Sequence, residues 1–464
     1  MTAARLLILG ASGDLTGRYL LRALAELVGQ GRLPEGIEIV GVAREPWDTE
    51  QFRNHAKHRL AEHASDLSES SRDSLIGRLE YVQGDVTQAD SLRAAAGRTG
   101  APVVAYLALP PTLFPAAISG LASAGLPDGS RLVVEKPFGT DLASAQKLND
   151  LLHRHFSEPA LFRIDHFLGK QTVQNILGLR FANRLFEPLW CGEHIEAVDI
   201  VWDETVALEG RAGYYDGTGA LRDMVQNHLL QLLCLVAMER PDGLGEGPLR
   251  DAKVRALKAV RRLEKSEVEE RTVRGRYTAG EIEGRHIPDY LGEPGVDTNG
   301  TTETFTEVTL FVDNDRWRDV PFRLRTGKAL GVDRREVCIT LRATDRLPFD
   351  QPEEPGPNIL RMSMDPDKLS ADLALNGAGD PFRLEPAHWE LQLAPQEMSA
   401  YARLIVDVLE GDPSLSIRGD EAEECWRIVE PILSAWNAGV APISSYAAGS
   451  AGPAVATKSP KGRG

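Results

Sequence analysis

The sequence contains few cysteines, and none of them is arranged for metal binding or redox chemistry. The four cysteines of the 464 residues are scattered along the chain, at Cys191, Cys234, Cys338 and Cys425. No C-x-x-C pair occurs, so the usual zinc and thiol redox motifs are missing and no metal is predicted. Isolated cysteines suit a reducing compartment, and we expect a cytoplasmic protein.

Long hydrophobic runs are also missing. No apolar stretch of the sequence approaches the roughly 20 residues that a membrane-spanning helix needs. The first apolar segment, Thr2–Leu9, is too short for a signal peptide, and glycine and charged residues follow it at once. The sequence therefore predicts no membrane association.

Positive charge is in deficit. Lysine and arginine number 52 against 68 aspartate and glutamate residues, which gives a formal net charge of −16. An acidic chain repels phosphodiester backbones, so nucleic acid is not expected as a partner. A phosphorylated small molecule would have to be bound by a local basic pocket.

Size and periodicity predict two domains and a tail. A single hydrophobic core stops growing near ~250–300 residues, which this chain exceeds. Over residues 1–165, short apolar runs alternate with amphipathic helical patterns, and this predicts a Rossmann-like, doubly wound parallel sheet of α/β class. The strands predicted for this sheet are Leu6–Leu9, Ile37–Val42, Leu79–Val82, Val103–Ala108, Leu132–Val134 and Ala160–Ile164.

Residues 166–446 have a different pattern. Helical segments at Gln171–Leu185, Ala220–Met238 and Met398–Glu410 flank a series of strand-like segments that no helices separate. Such a series predicts an α+β domain with a large, mainly antiparallel sheet and helices. Residues 447–464 are rich in glycine, alanine, serine and lysine, and we expect a disordered tail there.

A glycine turn follows the first predicted strand. The residues Gly10, Ala11, Ser12, Gly13, Asp14 and Leu15 precede a helical pattern, and a strand, a glycine turn and a helix can bind a pyrophosphate. The motif is shorter than a full G-x-G-x-x-G, so a turn without a ligand is the competing interpretation.

Arg44 ends the second predicted strand, where an acidic residue would bind a ribose hydroxyl and favour NAD. Arginine at this place suits a 2′-phosphate and favours NADP, with use of NAD left open. A solvent-exposed arginine without a ligand would give the same sequence.

Another predicted strand ends in Glu135-Lys136-Pro137-Phe138-Gly139. Ligands of open α/β sheets bind at this carboxyl edge, and a Lys-Pro step favours a cis peptide or a rigid turn that would direct Lys136 inward. An ordinary turn at the end of a strand is the alternative.

The segment Arg163–Lys170 reads R-I-D-H-F-L-G-K and is the most informative in the chain. It places the carboxylate of Asp165, the imidazole of His166 and the ammonium of Lys170 near a predicted helix start. An imidazole and a lysine four residues apart, beside helix N–H donors, can hold an anion such as phosphate. A capped helix with a surface lysine is the simpler interpretation.

A single histidine, His228, lies in the apolar helical segment Ala220–Met238. Taken alone, a histidine among leucines is more often a hydrogen-bonded core residue than a catalyst. It becomes a candidate base if a carboxylate orients it, because imidazole titrates near neutral pH. Asp165 is the predicted carboxylate.

Six blocks together resemble the glucose-6-phosphate dehydrogenase family, over residues 5–446. Their order and spacing match the family, and the likeness implies oxidation of the anomeric carbon of glucose 6-phosphate to 6-phosphogluconolactone, with NADP or NAD as cofactor. It also implies a homodimer or homotetramer formed through the antiparallel sheet. The blocks are Gly10–Leu15, Glu135–Gly139, Arg163–Lys170, Gly213–Asp216, Arg222–His228 with Gln231, and Arg325–Lys328.

The resemblance also implies residue roles. His228 would be the base and Asp165 its orienting partner, while His166 and Lys170 would bind the phosphate. Contacts to the sugar are implied for Glu204, Asp223 and Lys328. Contacts to the dinucleotide are implied for Asp85 and Val86, and Lys136 with Pro137 would lie between cofactor and substrate.

The chain departs from the family pattern at positions that matter for charge. Tyr19 and Asp333 stand where the family usually has lysine, and Phe167 replaces a tyrosine. Each lost cation would weaken binding of a phosphate dianion roughly ten- to hundred-fold. Arg334 and Arg335 would compensate if the loop were displaced by a residue.

These departures leave other functions open. The chain could be a catalytically silent paralogue that assembles with an active enzyme, or a dehydrogenase of a related hexose. A relative of the glucose–fructose oxidoreductases would share the dinucleotide fold and the Glu-Lys-Pro turn, but it would lack the R-I-D-H and Q-N-H blocks.

Overall fold

The structure is a computed structural model, and it describes residues 5–97, 100–344, 347–349, 356–380 and 382–454. The chain divides into two compact units, each assembled from segments that are distant in sequence. The first unit comprises residues 1–170, 241–251 and 396–423, and the second comprises residues 171–240, 252–395 and 424–464.

Helices are numbered α1 to α13 along the described chain. They are α1 (Leu21–Gly29), α2 (Thr49–His63), α3 (Glu69–Arg78), α4 (Ala89–Ala96), α5 (Phe114–Ala124), α6 (Leu142–His155), α7 (Gln171–Ala182), α8 (Ala212–Tyr215), α9 (Leu230–Ala237), α10 (Glu246–Ala259), α11 (Lys265–Arg271), α12 (Ala400–Glu410) and α13 (Gly419–Asn437). Two π-helical segments, Thr16–Leu20 and Leu221–Leu229, run directly into α1 and α9.

Strands are numbered β1 to β17 in the same way. They are β1 (Arg5–Leu9), β2 (Glu38–Ala43), β3 (Leu79–Gln83), β4 (Val103–Leu107), β5 (Arg131–Glu135), β6 (Leu161–Ile164), β7 (Ile195–Asp203), β8 (Thr272–Thr278), β9 (Gly280–Ile282), β10 (Arg285–Ile287), β11 (Phe305–Phe311), β12 (Pro321–Gly327), β13 (Arg334–Leu341), β14 (Ile359–Met364), β15 (Asp367–Asn376), β16 (Leu384–Gln392) and β17 (Ile443–Ala447).

The first unit is organised around a six-stranded parallel sheet. Its strand order is β3-β2-β1-β4-β5-β6, and every neighbouring pair is parallel. This is the strand order of a Rossmann fold, in which ligands bind outside the carboxyl ends of the strands. The predicted doubly wound sheet is confirmed.

Helix α12 belongs to the first unit, although the sequence boundary at residue 165 predicts it for the second domain. Its buried residues Leu404, Ile405 and Val408 join the same apolar core as Leu24 of α1 and Ile8 of β1. An amphipathic helix packs wherever a complementary apolar face is available, and sequence position does not reveal which face that is.

The second unit contains a nine-stranded sheet with the order β16-β15-β14-β13-β7-β12-β11-β8-β17. Its neighbouring strands are antiparallel except for two parallel pairs, β7 with β12 and β8 with β17. The predicted large, mainly antiparallel sheet is therefore confirmed. A separate two-stranded ribbon pairs β9 with β10.

The predicted disordered tail is wrong for residues 447–454. Ala447 pairs with Thr278 of β8, and Ala448 is buried. Gly449 has a φ of +83°, its N–H donates to the carbonyl of Ala329 at 2.9 Å, and a Cβ there would lie 2.1 Å from the carbonyl of Glu281. The small residues serve close backbone packing here, which composition alone cannot distinguish from flexibility. Residues 455–464 lie outside the described residues.

Over the described ranges, every helix is too short or too polar to cross a membrane.

Candidate active site

The glycine turn of the first unit follows β1 as predicted. Gly10 has a φ of +92°, and a Cβ at this position would lie 2.2 Å from the carbonyl oxygen of Ala108. The N–H groups of Gly10 and Ala11 donate to the carbonyl of Val42 at 2.9 and 3.2 Å, and the N–H of Gly13 donates to the carbonyl of Gly10 at 3.0 Å. The turn is thus closed tightly against the carboxyl ends of β2 and β4, where only glycine fits.

Asp14 begins the helix after this turn and is held by two arginines. One carboxylate oxygen accepts from Arg18 and from Arg59, each at 2.8 Å. Burial raises the pKa of Asp14, but the hydrogen bonds and charges of the two guanidinium groups outweigh it and hold the pKa below its ordinary value. Ser12 and Leu15 are half-buried beside it.

Arg44 and Asp85, both predicted to contact the dinucleotide, pair with each other. The guanidinium lies 3.3 Å from the carboxylate, at the carboxyl ends of β2 and β3. The N–H and hydroxyl of Thr87 donate to Asp85 and, with Arg44, hold the pKa of this carboxyl below its usual range. Val86, the residue after Asp85, is buried at 4% exposure.

The peptide bond between Lys136 and Pro137 is cis, one of the two forms that the sequence predicts for this step. Glu135, immediately before it, ends β5 and is buried. Its carboxylate accepts a short hydrogen bond from the hydroxyl of Tyr106 and is also bonded to Tyr401 of α12. Burial raises the pKa of Glu135 to about 7, against the lowering effects of the tyrosine hydroxyls and of the Lys136 charge.

The R-I-D-H segment forms a short 3₁₀ turn, His166–Gly169, and α7 begins at Gln171, directly after Lys170, so the predicted helix start is confirmed. Asp165 is 1% exposed and caps this turn, since its carboxylate accepts from the N–H of Phe167 at 3.0 Å. His166 and Lys170 are half-buried, and the N–H of Lys170 donates to the carbonyl of Phe167. The turn thus places three predicted site residues within six positions of β6.

The imidazole of His166 is packed among aromatic rings. It stacks on Tyr401 with ring centroids 5.7 Å apart and planes 10° apart, and it meets the edge of Phe167 at 4.9 Å. Tyr401 also stacks with Tyr19, with centroids 5.2 Å apart and planes 21° apart. Tyr19 therefore lies in the same aromatic group as a predicted phosphate ligand.

In the second unit, Glu204 and Lys328 form an ion pair of 2.8 Å. Both side chains are largely buried, and the Lys328 ammonium lies over the ring of Tyr215 at 5.3 Å. Backbone hydrogen bonds fix the pair, because the N–H of Glu204 donates to the carbonyl of Gly327 at 2.8 Å. The structure thus brings two of the predicted sugar contacts together.

Asp333 lies beside Thr205, the residue that follows Glu204. Its carboxylate accepts from the N–H of Thr205 at 2.7 Å. Arg334 pairs with Asp203 at 3.5 Å and with Glu336 at 3.7 Å, while Arg335 pairs with Asp365 and lies over the ring of Trp202. Both guanidinium groups therefore lie beside Trp202 and Asp203, the two residues before Glu204, and Arg335 is also 3.9 Å from the Asp333 carboxylate.

His228 and Asp223 lie on the π-helical segment Leu221–Leu229. Asp223 is half-buried and accepts a hydrogen bond from the hydroxyl of Tyr214 at 3.1 Å, while His228 is 1% exposed. The buried carboxylate of Glu303 accepts from the N–H of Leu221 at 2.9 Å and so caps the segment. π-Helical turns occur frequently at functional sites because they redirect side chains locally.

Two residues of the site are not singled out by sequence reasoning. Glu135 enters the sequence analysis only as part of the Glu-Lys-Pro turn, and Tyr401 only as part of a helical pattern. The signal for Glu135 is its place at the end of a buried parallel strand, where a carboxylate is costly unless it has partners. No sequence signal connects Tyr401 with residues more than two hundred positions earlier.

The first unit defines the class of protein. A parallel sheet in Rossmann order, with a glycine turn after β1 and an arginine after β2, is typical of dinucleotide-binding proteins. The second unit adds a mixed sheet that carries paired carboxylate and lysine side chains.

Comparisons with known proteins identify the family. A family model described as glucose-6-phosphate dehydrogenase, NAD binding domain, matches residues 7–175, and one described as glucose-6-phosphate dehydrogenase, C-terminal domain, matches residues 177–464. The chain belongs to the glucose-6-phosphate dehydrogenase family, and the resemblance seen in its motifs is confirmed.

Individual relatives agree over nearly the whole length. The chain is 42% identical to the glucose-6-phosphate 1-dehydrogenase of Gluconobacter oxydans, with 97% of this chain and 94% of the relative covered. It is 40% identical to that of Treponema pallidum, with 98% and 93% covered. A crystal structure of glucose-6-phosphate 1-dehydrogenase from Mycobacterium avium superposes with a TM-score of 0.87 at 35% identity, over 97% of this chain and 95% of that one.

A further solved structure is a glucose-6-phosphate dehydrogenase in complex with its substrate glucose 6-phosphate. It superposes with a TM-score of 0.87 at 31% identity, over 98% of this chain and 96% of that one.

The raised pKa of Glu135 predicts a pH-dependent contribution to stability. The carboxyl has an ordinary pKa of 4.5 when unfolded and about 7 when folded, so between these values the folded state holds a proton that the unfolded chain has released. Its contribution is full below the unfolded pKa and is lost as the pH rises through the folded pKa. From about pH 5 to about pH 8, urea unfolding should show the wild type losing on the order of 1–3 kcal/mol more than Glu135→Gln.

The exposed Glu80 of β3 provides the matched control, because Glu80→Gln should leave the wild-type pH profile unchanged. Parallel profiles for the wild type and Glu135→Gln would contradict the raised pKa.

Proposed function

We propose that this protein oxidises the anomeric carbon of glucose 6-phosphate to 6-phosphogluconolactone and passes the hydride to NADP, the first step of the oxidative pentose phosphate pathway. The observation that carries the proposal is full-length similarity to enzymes named glucose-6-phosphate 1-dehydrogenase, at 42% and 40% identity, in a chain that keeps His166, Lys170 and His228. The reducing cytoplasm is the proposed location, in keeping with four free cysteines.

The described residues fit a dinucleotide. Gly10 gives the close backbone turn that a pyrophosphate needs, and Arg44 stands where a 2′-phosphate would be bound. When bound, the nicotinamide supplies the hydride acceptor. The carboxylate of Asp85 already pairs with Arg44 and holds its guanidinium in place. A 2′-phosphate would therefore compete with Asp85 for the N–H donors of Arg44. NADP is the preferred cofactor in this proposal, with NAD as the alternative.

His228 is the proposed general base. The anomeric C–H bond can lose a hydride only if the attached hydroxyl loses its proton, and the neutral imidazole of His228 accepts that proton while the C=O bond of the lactone forms. General-base help of this kind is worth typically 10²–10⁴-fold in rate. Asp165, which is almost fully buried, is proposed to fix the imidazole tautomer and to stabilise the imidazolium that results.

Substrate binding is proposed for several charged residues of the chain. His166 and Lys170 are proposed to hold the phosphate, and Lys136 to lie between substrate and cofactor. Glu204 and Asp223 are proposed to accept hydrogen bonds from the sugar hydroxyls. The ion pair with Lys328 orients Glu204 for this role.

One observation favours a second candidate function. Asp333 places a carboxylate on the N–H of Thr205, beside Glu204, at a position where the family usually has a lysine. A negative charge there disfavours a dianionic phosphate, so a dehydrogenase of a related hexose, or a silent paralogue, is the competing proposal.

A substrate and coenzyme panel tests the proposed function. Purified protein should reduce NADP with glucose 6-phosphate, followed at 340 nm, at a kcat/KM at least ~100-fold above that for free glucose, because charge-assisted bonds to phosphate are lost with the latter. NADP should be preferred to NAD. Faster oxidation of free glucose or of an amino or deoxy hexose would overturn the substrate, and a flat trace from folded protein would favour the silent paralogue.

The variant His228→Asn tests the base. Asparagine keeps the size of the side chain but cannot accept the proton, so kcat should fall by about 10²–10⁴-fold while the affinity for glucose 6-phosphate, measured by calorimetry, stays within about threefold. The neighbouring buried variant Gln226→Asn, a conservative change in the same segment, is the control for local disturbance. A fall in kcat no larger than that of the control would remove His228 as the base.

We propose that the protein is a homo-oligomer, a dimer or tetramer, formed through its nine-stranded sheet. At the edge of this sheet, β15 and β16 pair Leu369 with Leu391 and Ala371 with Trp389, which places these side chains on one face. Trp389 and Leu391 are 45% and 48% exposed. An apolar face on an edge strand is a liability unless another surface covers it, and a second copy of the chain is the proposed cover.

The double variant Trp389→Ser with Leu391→Ser should therefore shift the mass measured by light scattering from that of an oligomer towards that of a smaller species. Gln392→Ser, on the opposite face of β16, is the matched control and should keep the wild-type mass. An unchanged mass in the double variant would contradict the proposed surface, and a monomeric wild type would contradict the oligomer itself.

A further inference from the structure

The imidazole of His166 does not stand alone in the first unit. Tyr401 lies parallel to it, at 5.7 Å and 10°, and Phe167 contacts it edge-on at 4.9 Å. Aromatic rings have preferred stacked and edge-to-face geometries, so these two neighbours favour one orientation of the imidazole. The direction in which the His166 nitrogens point therefore depends on where the Tyr401 ring is held.

Tyr401 is itself fixed at its hydroxyl. The hydroxyl of Tyr401 donates a hydrogen bond to the buried carboxylate of Glu135, which also accepts one from the hydroxyl of Tyr106. The ring lies in the first turn of α12, whose start is capped by Ser399. These contacts fix one end of the Tyr401 side chain, but they leave the tilt of its ring to the neighbours that stack on it.

Tyr19 is one of those neighbours. It comes from the π-helical segment Thr16–Leu20, directly after the glycine turn, and its ring stacks on Tyr401 at 5.2 Å and 21°. Tyr19 is 44% exposed, so its contact with Tyr401 is not a by-product of deep burial. A lysine at this position would offer a charge, but its flexible chain would not form a stacked ring pair.

We propose that Tyr19 is a positioning residue for the phosphate of the substrate: by stacking on Tyr401 it holds the His166 imidazole in the orientation that binds a phosphate monoester. This role rests on the proposed function of His166 in glucose 6-phosphate binding. The chain thus has a rigid aromatic contact where the family pattern has a cation. A lysine here would add a second phosphate-binding group, whereas Tyr19 orients His166, which is already present.

The variants Tyr19→Leu, Tyr19→Phe and Tyr19→Lys test the proposal. For each one, kcat and KM are measured with glucose 6-phosphate. Binding of glucose 6-phosphate to the protein without dinucleotide is measured by calorimetry. Tyr19→Leu should raise KM and the dissociation constant by about 3- to 10-fold, the loss expected for one aromatic pair, with the change falling on KM rather than kcat. Tyr19→Phe keeps the ring and should stay within about twofold of the wild type. The KM for free glucose should be the same in Tyr19→Leu and Tyr19→Phe, since glucose has no phosphate.

A double-mutant cycle tests whether the effect passes through Tyr401. Tyr401→Leu alone should raise KM for glucose 6-phosphate, and adding Tyr19→Leu to it should raise KM no further. Fully multiplicative effects in the double variant would contradict transmission through Tyr401.

Other outcomes overturn the proposal directly. An unchanged KM in Tyr19→Leu, or equal damage in Tyr19→Phe and Tyr19→Leu, would exclude a role of the ring. A Tyr19→Lys variant with a KM below that of the wild type would mean that the position is a lost cation site and nothing more. A wild type that neither binds nor oxidises glucose 6-phosphate would instead reject the proposed function, and the positioning role with it.

Discussion

The buried carboxylate of Glu135 is the group on which the site of the first unit depends. It lies at the carboxyl end of β5, and it bonds to Tyr106 at the neighbouring strand end and to Tyr401 on α12. A carboxylate buried at this depth without partners would cost free energy. The hydroxyls of Tyr106 and Tyr401 and the charge of Lys136 offset that cost. In return, the carboxylate anchors a helix from the far end of the chain to the edge of the sheet where ligands bind.

The second unit also contains a largely buried carboxylate, that of Glu204, and an ion pair stabilises it. Glu204 ends up beside Lys328 because β7 and β12 are parallel neighbours, with Asp203 paired to Gly327 in the register. The lysine is stabilised by its carboxylate partner and by the face of Tyr215. A largely buried pair of this kind contributes little net stability, but each charge holds the other in place.

Sequence reasoning predicts the sheet classes and the position of the glycine turn, because both depend on local periodicity and on backbone space at Gly10. It does not find the Arg44–Asp85 pair, since that contact depends on two strand ends being neighbours. It also predicts disorder at residues 447–454, where small residues in fact allow close backbone contact. The role of α12 could not be predicted, because helix amphipathicity does not identify the core that a helix joins.

The two substitutions that lower the positive charge of the family pattern have different consequences in the structure. Tyr19 gains a specific partner, Tyr401, and through it a connection to His166. Asp333 accepts a hydrogen bond from the backbone N–H of Thr205 and also forms a long ion pair of 3.9 Å with Arg335. The amide hydrogen bond holds the carboxylate without cancelling its charge, and the long contact with Arg335 offsets that charge only in part. The two positions that lack the lysine of the family pattern are thus held by different contacts: an aromatic stack at Tyr19, and a hydrogen bond with an ion pair at Asp333.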